Sequence, residues 1–354
     1  MRKIFNWTFA APFLAWILVL ISPLGAADIY YWFAFIFLIA CVMASVHHAE
    51  VVAHRVGEPF GTIVLALAVT ILEASIIVTL MLAGGEGAAS YARDTLFAAV
   101  MLILNGILGI SMIVGARKYK EQTFQTKSVT IALVALVAIV VFTLILPNVT
   151  TSISGPSYTN SQLVFVTIAC LVIYISFIKA QTVRQRHYFM STSDNGHTNS
   201  HVSKREALIS LFLLLACLGA VVYLSKKISP LIELSISEAG LPKALVGVVI
   251  SFIILLPEGI AAVRAASKNR FQSSINLSLG SAIASIGLSI PTVAVLCVWF
   301  DIPLILGIDK KSMVLLALSL FTVMLSLNKG KTNLTYGTVL VMILFAYIYT
   351  IIFP

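Results

Sequence analysis

The sequence predicts an all-α integral membrane protein. Hydrophobic residues make up 60% of the 354 residues and charged residues only 10%, whereas a soluble domain carries about 25% charged residues. The apolar residues also fall in long runs, and a run of about 20 is enough for a helix to cross the hydrocarbon core of a bilayer. These runs leave too little chain for a folded domain outside the membrane, so we expect one membrane domain.

About eleven runs reach or approach the length of a transmembrane helix. They lie near 8–25, 29–52, 59–83, 95–116, 128–147, 161–180, 207–226, 242–266, 273–299, 311–328 and 333–353. Arg2 and Lys3 precede the first run, as in a signal peptide, but this run is long and another follows at once. We therefore expect the first run to be a retained span.

A polar stretch at 181–206 lacks apolar periodicity and resembles a cytoplasmic linker. Five spans precede it, apart from the first helix, and five follow it. An odd number of spans per half gives the halves opposite orientations, which is the inverted-repeat plan of secondary transporters. The predicted division is therefore a first helix (1–28), a five-helix repeat (29–180), the linker (181–206) and a second five-helix repeat (207–354).

The basic residues indicate the orientation. With the N-terminus in the cytoplasm, most of the 23 Lys and Arg residues lie in cytoplasmic segments, as the positive-inside rule requires, and Pro354 lies outside. The formal charge of +9 therefore fits a membrane surface, and we expect no nucleic-acid partner. The four cysteines lie singly in apolar runs without CxxC spacing, so they indicate neither a disulfide framework nor a metal knuckle.

Two carboxylates interrupt apolar helices near mid-depth, Glu73 in the third span and Glu258 in the eighth. An acidic residue at the bilayer centre costs about 2.5–3.5 kcal/mol on insertion scales, so such residues usually face a cavity or a partner. The structural alternative is a protonated Glu that hydrogen-bonds to a neighbouring helix. Because the two spans are equivalent and of opposite orientation, we expect the carboxylates to meet at the repeat interface. Such a pair binds either protons or a cation, and this competition is the coupling that an antiporter needs.

Further oxygen ligands are expected, because Ca²⁺ takes about 6 to 8 oxygens. Thr70 lies one turn before Glu73, and Asn105 is the one amide in the middle of the fourth span. Serines line one face of the ninth span, and Ser281 and Ser285 are the best ligand candidates among them. Small residues also mediate helix packing in membranes, which is the alternative role of this serine face.

A third polar cluster ends the second span. His47, Glu50, His54 and Glu58 are spaced three, four and four residues apart on one helical face. We interpret it as a cytoplasmic vestibule that collects protons or cations, with a structural ion-pair face as the alternative. The spacing does not match the HExxH geometry of zinc proteases.

Three segments resemble a known family. HAEVVAHRVGEPFGTIVLALAVTILEASI (48–76), PEGIAAVRAASKNRFQSSINLSLGSAIASIGLSIP (257–291) and KTNLTYG (331–337) are similar to the CAX branch of the calcium/cation antiporter superfamily, most of all to its ChaA-type sodium, potassium and calcium/proton antiporters. The resemblance implies that Glu73 and Glu258 are the paired ion-binding glutamates. It further implies that Asn105 and the segment at Gly280 and Ser281 line the same midplane site, in a bacterial inner membrane.

The first repeat departs from the calcium exchangers, since it has AVTILE where they carry GNxTE. Fewer side-chain oxygens are then available, which keeps Na⁺ and K⁺ among the candidate cations beside Ca²⁺. We expect an exchanger of one of these cations for protons, with no resident cofactor, no enzymatic activity, the lipid bilayer as its environment and a homo-oligomer as one option.

Two other functions are alternatives to cation exchange. An intramembrane metalloenzyme would use His47, His48, Glu50 and His54 around a transition metal and an activated water. A passive channel fits poorly, because two mid-membrane carboxylates bind cations too tightly for fast permeation. No GxxxxGK[ST] loop is present, so nothing indicates the use of ATP.

Overall fold

The computed structural model describes residues 7–21, 28–57, 60–83, 88–190, 202–300 and 302–353. Within these ranges the chain is helical, and its one isolated β-bridge joins Thr123 to Lys331. The described residues include nine helices long and apolar enough to cross a membrane, together with shorter apolar helices at Trp7–Leu20 and Leu67–Leu82. The predicted fold class, an all-α protein with about eleven apolar helices, is therefore confirmed.

In chain order the helices are α1 (Trp7–Leu20), α2 (Asp28–Val56), α3 (Phe60–Ala83), α4 (Tyr91–Met101), α5 (Leu108–Tyr119), α6 (Thr126–Val140), α7 (Asn160–Lys179), α8 (Arg186–Phe189), α9 (Lys204–Glu238), α10 (Ala244–Ser267), α11 (Phe271–Trp299), α12 (Lys310–Leu327) and α13 (Leu334–Ile352). Wider π-helical turns follow α4, α6 and α7, at Leu102–Ile107, Val141–Ile145 and Ala180–Arg184. The first of these joins α4 to α5 without a break, so the two helices form one span.

Helix α9 is longer than predicted. The apolar run ends near residue 226, where Lys226 and Lys227 begin a polar stretch, but the helix continues through Pro230 to Glu238. Both lysine side chains are exposed, so solvent can hydrate their charges while the backbone remains helical. The polar linker also begins later than expected, because α7 continues through its π-helical turn and α8 follows.

The chain folds into two compact units. The first comprises Met1–Ala88 and Asn199–Val246, and the second comprises Ala89–Thr198 and Gly247–Pro354. Each unit combines segments from before and after the linker. The division of the chain into two inverted five-helix repeats remains a prediction.

In the first unit, α1 packs against α2 and α9, and α3 packs against the same two helices. The indole nitrogen of Trp16 donates a hydrogen bond to the carbonyl oxygen of Ala216 over 3.0 Å. Gly219, one turn further along α9, leaves room for this ring, since a Cβ there would lie 3.0 Å from it. Small side chains thus allow the helices to approach closely, as is common in membrane proteins.

In the second unit, α11 is the central helix and packs against α4 to α7 and the π-helical turn at Leu102–Ile107. Helix α13 packs along α5, where Gly109 and Gly337 let the two backbones approach. Large apolar side chains lie on the surface of these helices, and those of Phe165, Phe321 and Phe345 are more than half exposed. A surface of this kind suits lipid rather than water.

Candidate cation site

Glu73 and Thr70 lie in the first unit, close to the middle of α3. The exposed fraction of Glu73 is 2% and that of Thr70 is 3%. A carboxylate and a hydroxyl one turn apart on a buried helix face can both direct oxygen atoms to the same cation. Both predicted residues are therefore buried within the first unit, and their role as ligands remains a prediction.

Glu258 lies in the second unit, within α10, and is 8% exposed. The helix continues through the preceding residue, Pro257. Because proline has no amide hydrogen, the carbonyl oxygen of Ile253 lacks its usual partner one turn later. A buried carboxylate and a backbone carbonyl released by proline are thus close together in the sequence of the same helix.

Asn105 lies in the π-helical turn between α4 and α5 and is completely buried. Its amide nitrogen donates hydrogen bonds to the backbone oxygen of Met101 over 3.2 Å and to the hydroxyl of Ser319 over 2.9 Å. Its amide oxygen has no hydrogen-bond partner within the described part of the chain. A buried acceptor without a partner is costly, and π-helical turns are frequent at functional sites, so this oxygen is a candidate cation ligand.

The serines on one face of α11 differ in whether their hydroxyls are hydrogen-bonded. Ser278 donates to the backbone oxygen of Ser274 over 2.9 Å and is thereby satisfied within its own helix. Ser285 is 2% exposed, and its hydroxyl has no hydrogen-bond partner among the described residues. Ser281 is only partly buried. The packing role therefore fits Ser278, whereas Ser285 retains a hydroxyl that a ligand can use.

The π-helical turn that carries Asn105 adjoins the two other segments of the second unit that carry candidate ligands. Helix α11 packs against the π-helical turn that carries Asn105. A Cβ at Gly259, the residue after Glu258, would lie 3.3 Å from the side chain of Ile107 in that turn. The fold thus brings together the segments that carry Glu258, Asn105 and Ser285.

Sequence analysis missed Ser319, which fixes the amide of Asn105. It is completely buried in α12, and its hydroxyl donates to the backbone oxygen of Leu315 over 2.8 Å. The only indication of Ser319 in the sequence is that it is a hydroxyl residue near the middle of an apolar helix. That indication is weak, because serines at such positions usually serve helix packing.

The cluster at the end of α2 does not form a single buried site. His47 is partly buried, whereas Glu50 and His54 are exposed, and Glu58 lies outside the described residues. The side chain of His48 contacts α1, since its Nε2 atom lies 3.1 Å from the carbonyl oxygen of Thr8. Among the described residues, no three His, Cys, Asp or Glu side chains are grouped to hold a metal ion.

Long apolar helices with buried polar residues near their middles are typical of multi-pass membrane transporters. The sequence matches the family described as sodium/calcium exchanger protein over residues 29–183 and 209–353, and the chain belongs to this family. It is therefore an antiporter of the cation-exchanger type rather than an enzyme.

Two relatives in sequence extend over most of the chain. One is y4hA of Sinorhizobium fredii (strain NBRC 101917 / NGR234), which is named as a candidate ionic transporter. It is 43% identical over 303 residues, and the alignment covers 85% of this chain and 83% of the relative. The other is the sodium-potassium/proton antiporter ChaA of Escherichia coli (strain K12), which is 30% identical over 323 residues and covers 90% of this chain and 87% of its own. The predicted resemblance to ChaA-type antiporters is thus confirmed.

Solved structures share the fold. Native YfkE superimposes with a TM-score of 0.75 at 17% identity and covers 98% of this chain and 99% of its own. The H⁺/Ca²⁺ exchanger CAX superimposes with a TM-score of 0.70 at 16% identity and covers 96% of this chain and 86% of its own. At these identities the likeness supports the fold alone.

Proposed function

We propose that this protein exports Ca²⁺ or Na⁺, with K⁺ as a third candidate, in exchange for protons that enter the cell. The observation that carries the proposal is the amide oxygen of Asn105, which is buried and has no hydrogen-bond partner among the described residues. It lies in a segment that adjoins the helices of Glu258 and Ser285. Carboxylate and amide oxygen atoms are the ligands that a hard cation prefers.

The proposed exchange is a competition for the two glutamates. A carboxylate of low exposure is poorly hydrated, so it is stable when it binds either a proton or a cation and unstable when it is charged and empty. A divalent cation replaces two protons without leaving net charge, whereas Na⁺ or K⁺ replaces one. Glu73 and Glu258 would thus alternate between protonated and cation-bound states, with inward-open and outward-open conformations around them. This mechanism needs no resident cofactor.

The orientation belongs to the same proposal. We place the N-terminus in the cytoplasm and Pro354 outside, in a bacterial inner membrane, on the basis of the basic cytoplasmic segments. His47, Glu50, His54 and Glu58 would then form a vestibule at the cytoplasmic end of α2. Reporter fusions at the two termini test this assignment, because alkaline phosphatase is active only outside the cytoplasm.

The experiment that tests the exchange uses everted membrane vesicles with a preformed proton gradient and a pH-sensitive acridine dye. Na⁺, K⁺ and Ca²⁺ are added separately to wild type, Glu73→Gln and Glu258→Gln, from neutral to alkaline pH. Glu121→Gln is the matched control, since Glu121 is an exposed carboxylate that pairs with Lys331 over 3.0 Å. We expect at least one cation to dissipate the gradient in wild type and in Glu121→Gln, and neither buried-site variant to respond.

Two results would contradict this proposal. Exchange retained in both Glu73→Gln and Glu258→Gln would show that coupling occurs at other residues. A wild-type protein that dissipates no gradient with any of the three cations, although it is present in the membrane, would exclude these cations as substrates. Uphill cation flux driven by the proton gradient separates exchange from a passive channel.

A further inference from the structure

The second unit contains a groove lined almost entirely by apolar residues. Its volume is about 360 Å³, within the range of about 300–1,000 Å³ that is usual for small-molecule sites. Apart from Arg264, every lining residue is apolar or glycine. The lining residues are Leu102, Gly106, Ile107, Ile110, Phe252, Leu255, Leu256, Gly259, Ile260, Val263, Arg264 and Leu344.

The dimensions of this groove match one leaflet of a bilayer. Its lining runs along α10 from Phe252 to Arg264, which is about 18 Å at a helical rise of 1.5 Å per residue. Half of a hydrocarbon core is about 15 Å thick. Arg264 belongs to the last turn of α10, so the groove extends from one end of this helix to about its middle.

The end of the groove near Arg264 is positively charged. The side chain of Arg264 is exposed, and its guanidinium has no ion pair or hydrogen bond with the part of the chain that the structure describes. Nearby, Lys118 donates to the backbone oxygen of Ser267 over 3.0 Å, and the exposed Lys268 follows. The carboxylate at this end, Glu121, is already paired with Lys331.

We propose that this groove binds an anionic phospholipid of the surrounding membrane. One acyl chain would occupy the apolar groove, and the phosphate would accept hydrogen bonds from the guanidinium of Arg264. An apolar channel of leaflet length with a cation at its membrane-surface end has the chemistry of such a lipid. A water-soluble ligand fits poorly, because the groove offers no further polar side chain to bind it.

The position of the groove predicts a role in transport. Gly106 follows Asn105 and Gly259 follows Glu258, and both glycines line the groove. A bound acyl chain would therefore contact the backbone next to two residues of the candidate cation site. It would also cover Ile107, which packs on Gly259. An occupied groove would therefore hold α10 against the π-helical turn, and an empty one would leave this contact open to rearrangement.

Lipid binding is tested on the full-length purified protein by native mass spectrometry, so the result does not depend on the transport assay. Delipidated protein is titrated with phosphatidylglycerol and, separately, with phosphatidylcholine of the same acyl chains. We expect phosphatidylglycerol to bind about fivefold more tightly, because both lipids carry the phosphate but the choline cation of phosphatidylcholine offsets its attraction to Arg264, and attraction of an anionic lipid to one basic residue has about this size. Arg264→Gln should remove this preference and Arg264→Lys should retain most of it.

Variants of the groove separate this site from the general lipid surface. Ile110→Trp fills a partly exposed position of the groove and should weaken phosphatidylglycerol binding at least about tenfold, whereas Leu318→Trp, on the exposed face of α12, should not. Arg117→Gln is the charge control, because Arg117 is an exposed basic residue at the same membrane surface but does not line the groove.

Four outcomes would overturn the proposal. The two lipids could bind equally well in wild type, Arg117→Gln could abolish the preference as completely as Arg264→Gln, or Ile110→Trp could bind like wild type. Inorganic phosphate that displaces the lipid at comparable concentrations would also contradict it, since the acyl chain would then contribute nothing. Thermal unfolding of each variant in detergent verifies that it is folded.

Discussion

The amide nitrogen of Asn105 lies 2.9 Å from the hydroxyl oxygen of Ser319 and 3.2 Å from the backbone oxygen of Met101. The carbonyl of Met101 can only accept a hydrogen bond, and the hydroxyl of Ser319 already donates to Leu315. The Met101 carbonyl therefore requires the nitrogen of the amide, which fixes the orientation of Asn105, and the Ser319 hydroxyl accepts from the same nitrogen. The amide oxygen makes neither of these two hydrogen bonds and has no hydrogen-bond partner among the described residues.

This orientation predicts the effect of Asn105→Leu, which keeps the approximate size of the side chain but removes the oxygen. We expect the rate of cation-dependent gradient dissipation to fall at least about tenfold, because a buried ligand is lost. Ser319→Ala should have a smaller effect, since it removes only the group that orients the amide. Ser326→Ala is the control on the same helix, because Ser326 bonds to Val323. Equal rates in Asn105→Leu and wild type would exclude Asn105 as a ligand.

The hydroxyl of Ser285 is expected to contribute to the affinity for the cation. Ser285→Ala should raise the cation concentration for half-maximal gradient dissipation by about fivefold, which corresponds to the loss of about one hydrogen bond. Ser274→Ala is a matched control, since Ser274 is also buried on α11 and its hydroxyl also lacks a partner within the described ranges. It lies about 16 Å from Ser285 along the helix, so its removal should leave the affinity unchanged. An identical shift in both variants would indicate a general effect on α11.

Close packing of α5 and α13 depends on Gly337. A Cβ at this position would lie 2.6 Å from the carbonyl oxygen of Gly109, so Gly337→Ala should force the two backbones apart. We expect a loss of about 1–3 kcal/mol in the free energy of unfolding, measured as a lower Tm in detergent. Gly280→Ala is the control for thermal stability, because no atom of the described residues beyond its own stretch of helix lies within 4 Å of a Cβ there. A Tm for Gly337→Ala equal to that of wild type would disprove this packing.

Tyr158 lies outside the predicted membrane spans, and its hydroxyl donates to the carbonyl oxygen of Phe142 over 2.6 Å. Burial raises its pKa well above the ordinary value of 10.0, with a smaller contribution from Cys170. The unfolded chain therefore releases the phenolic proton first as the pH rises, so the stability from this group is complete below pH 10.0 and is lost above it.

We accordingly expect Tyr158→Phe to lower the free energy of unfolding by about 1 kcal/mol at neutral pH. Above about pH 10, wild type should lose stability more steeply with pH than the variant does, because only wild type has this phenol. Thermal unfolding of both proteins at neutral and alkaline pH measures the difference. Parallel pH profiles would show that Tyr158 titrates as an exposed tyrosine does.

The sequence by itself determined the fold class, because the length of an apolar run and the cost of an unsatisfied backbone in lipid leave the helix as the solution. It also indicated Glu73 and Glu258 as candidate ligands, since a carboxylate within an apolar span usually faces a cavity or a partner. Asn105 became a candidate as the one amide in the middle of its span. These predictions depend on local composition, which a single sequence contains in full.

Only the tertiary structure decided what the neutral polar residues do. Ser278 and Ser285 are equivalent in the sequence pattern, yet Ser278 bonds to its own helix and Ser285 does not. Ser319 is separated from Asn105 by more than 200 residues and became significant only through their contact. Whether a buried hydroxyl or amide is satisfied depends on neighbours from distant parts of the chain, and helical periodicity carries no information about them.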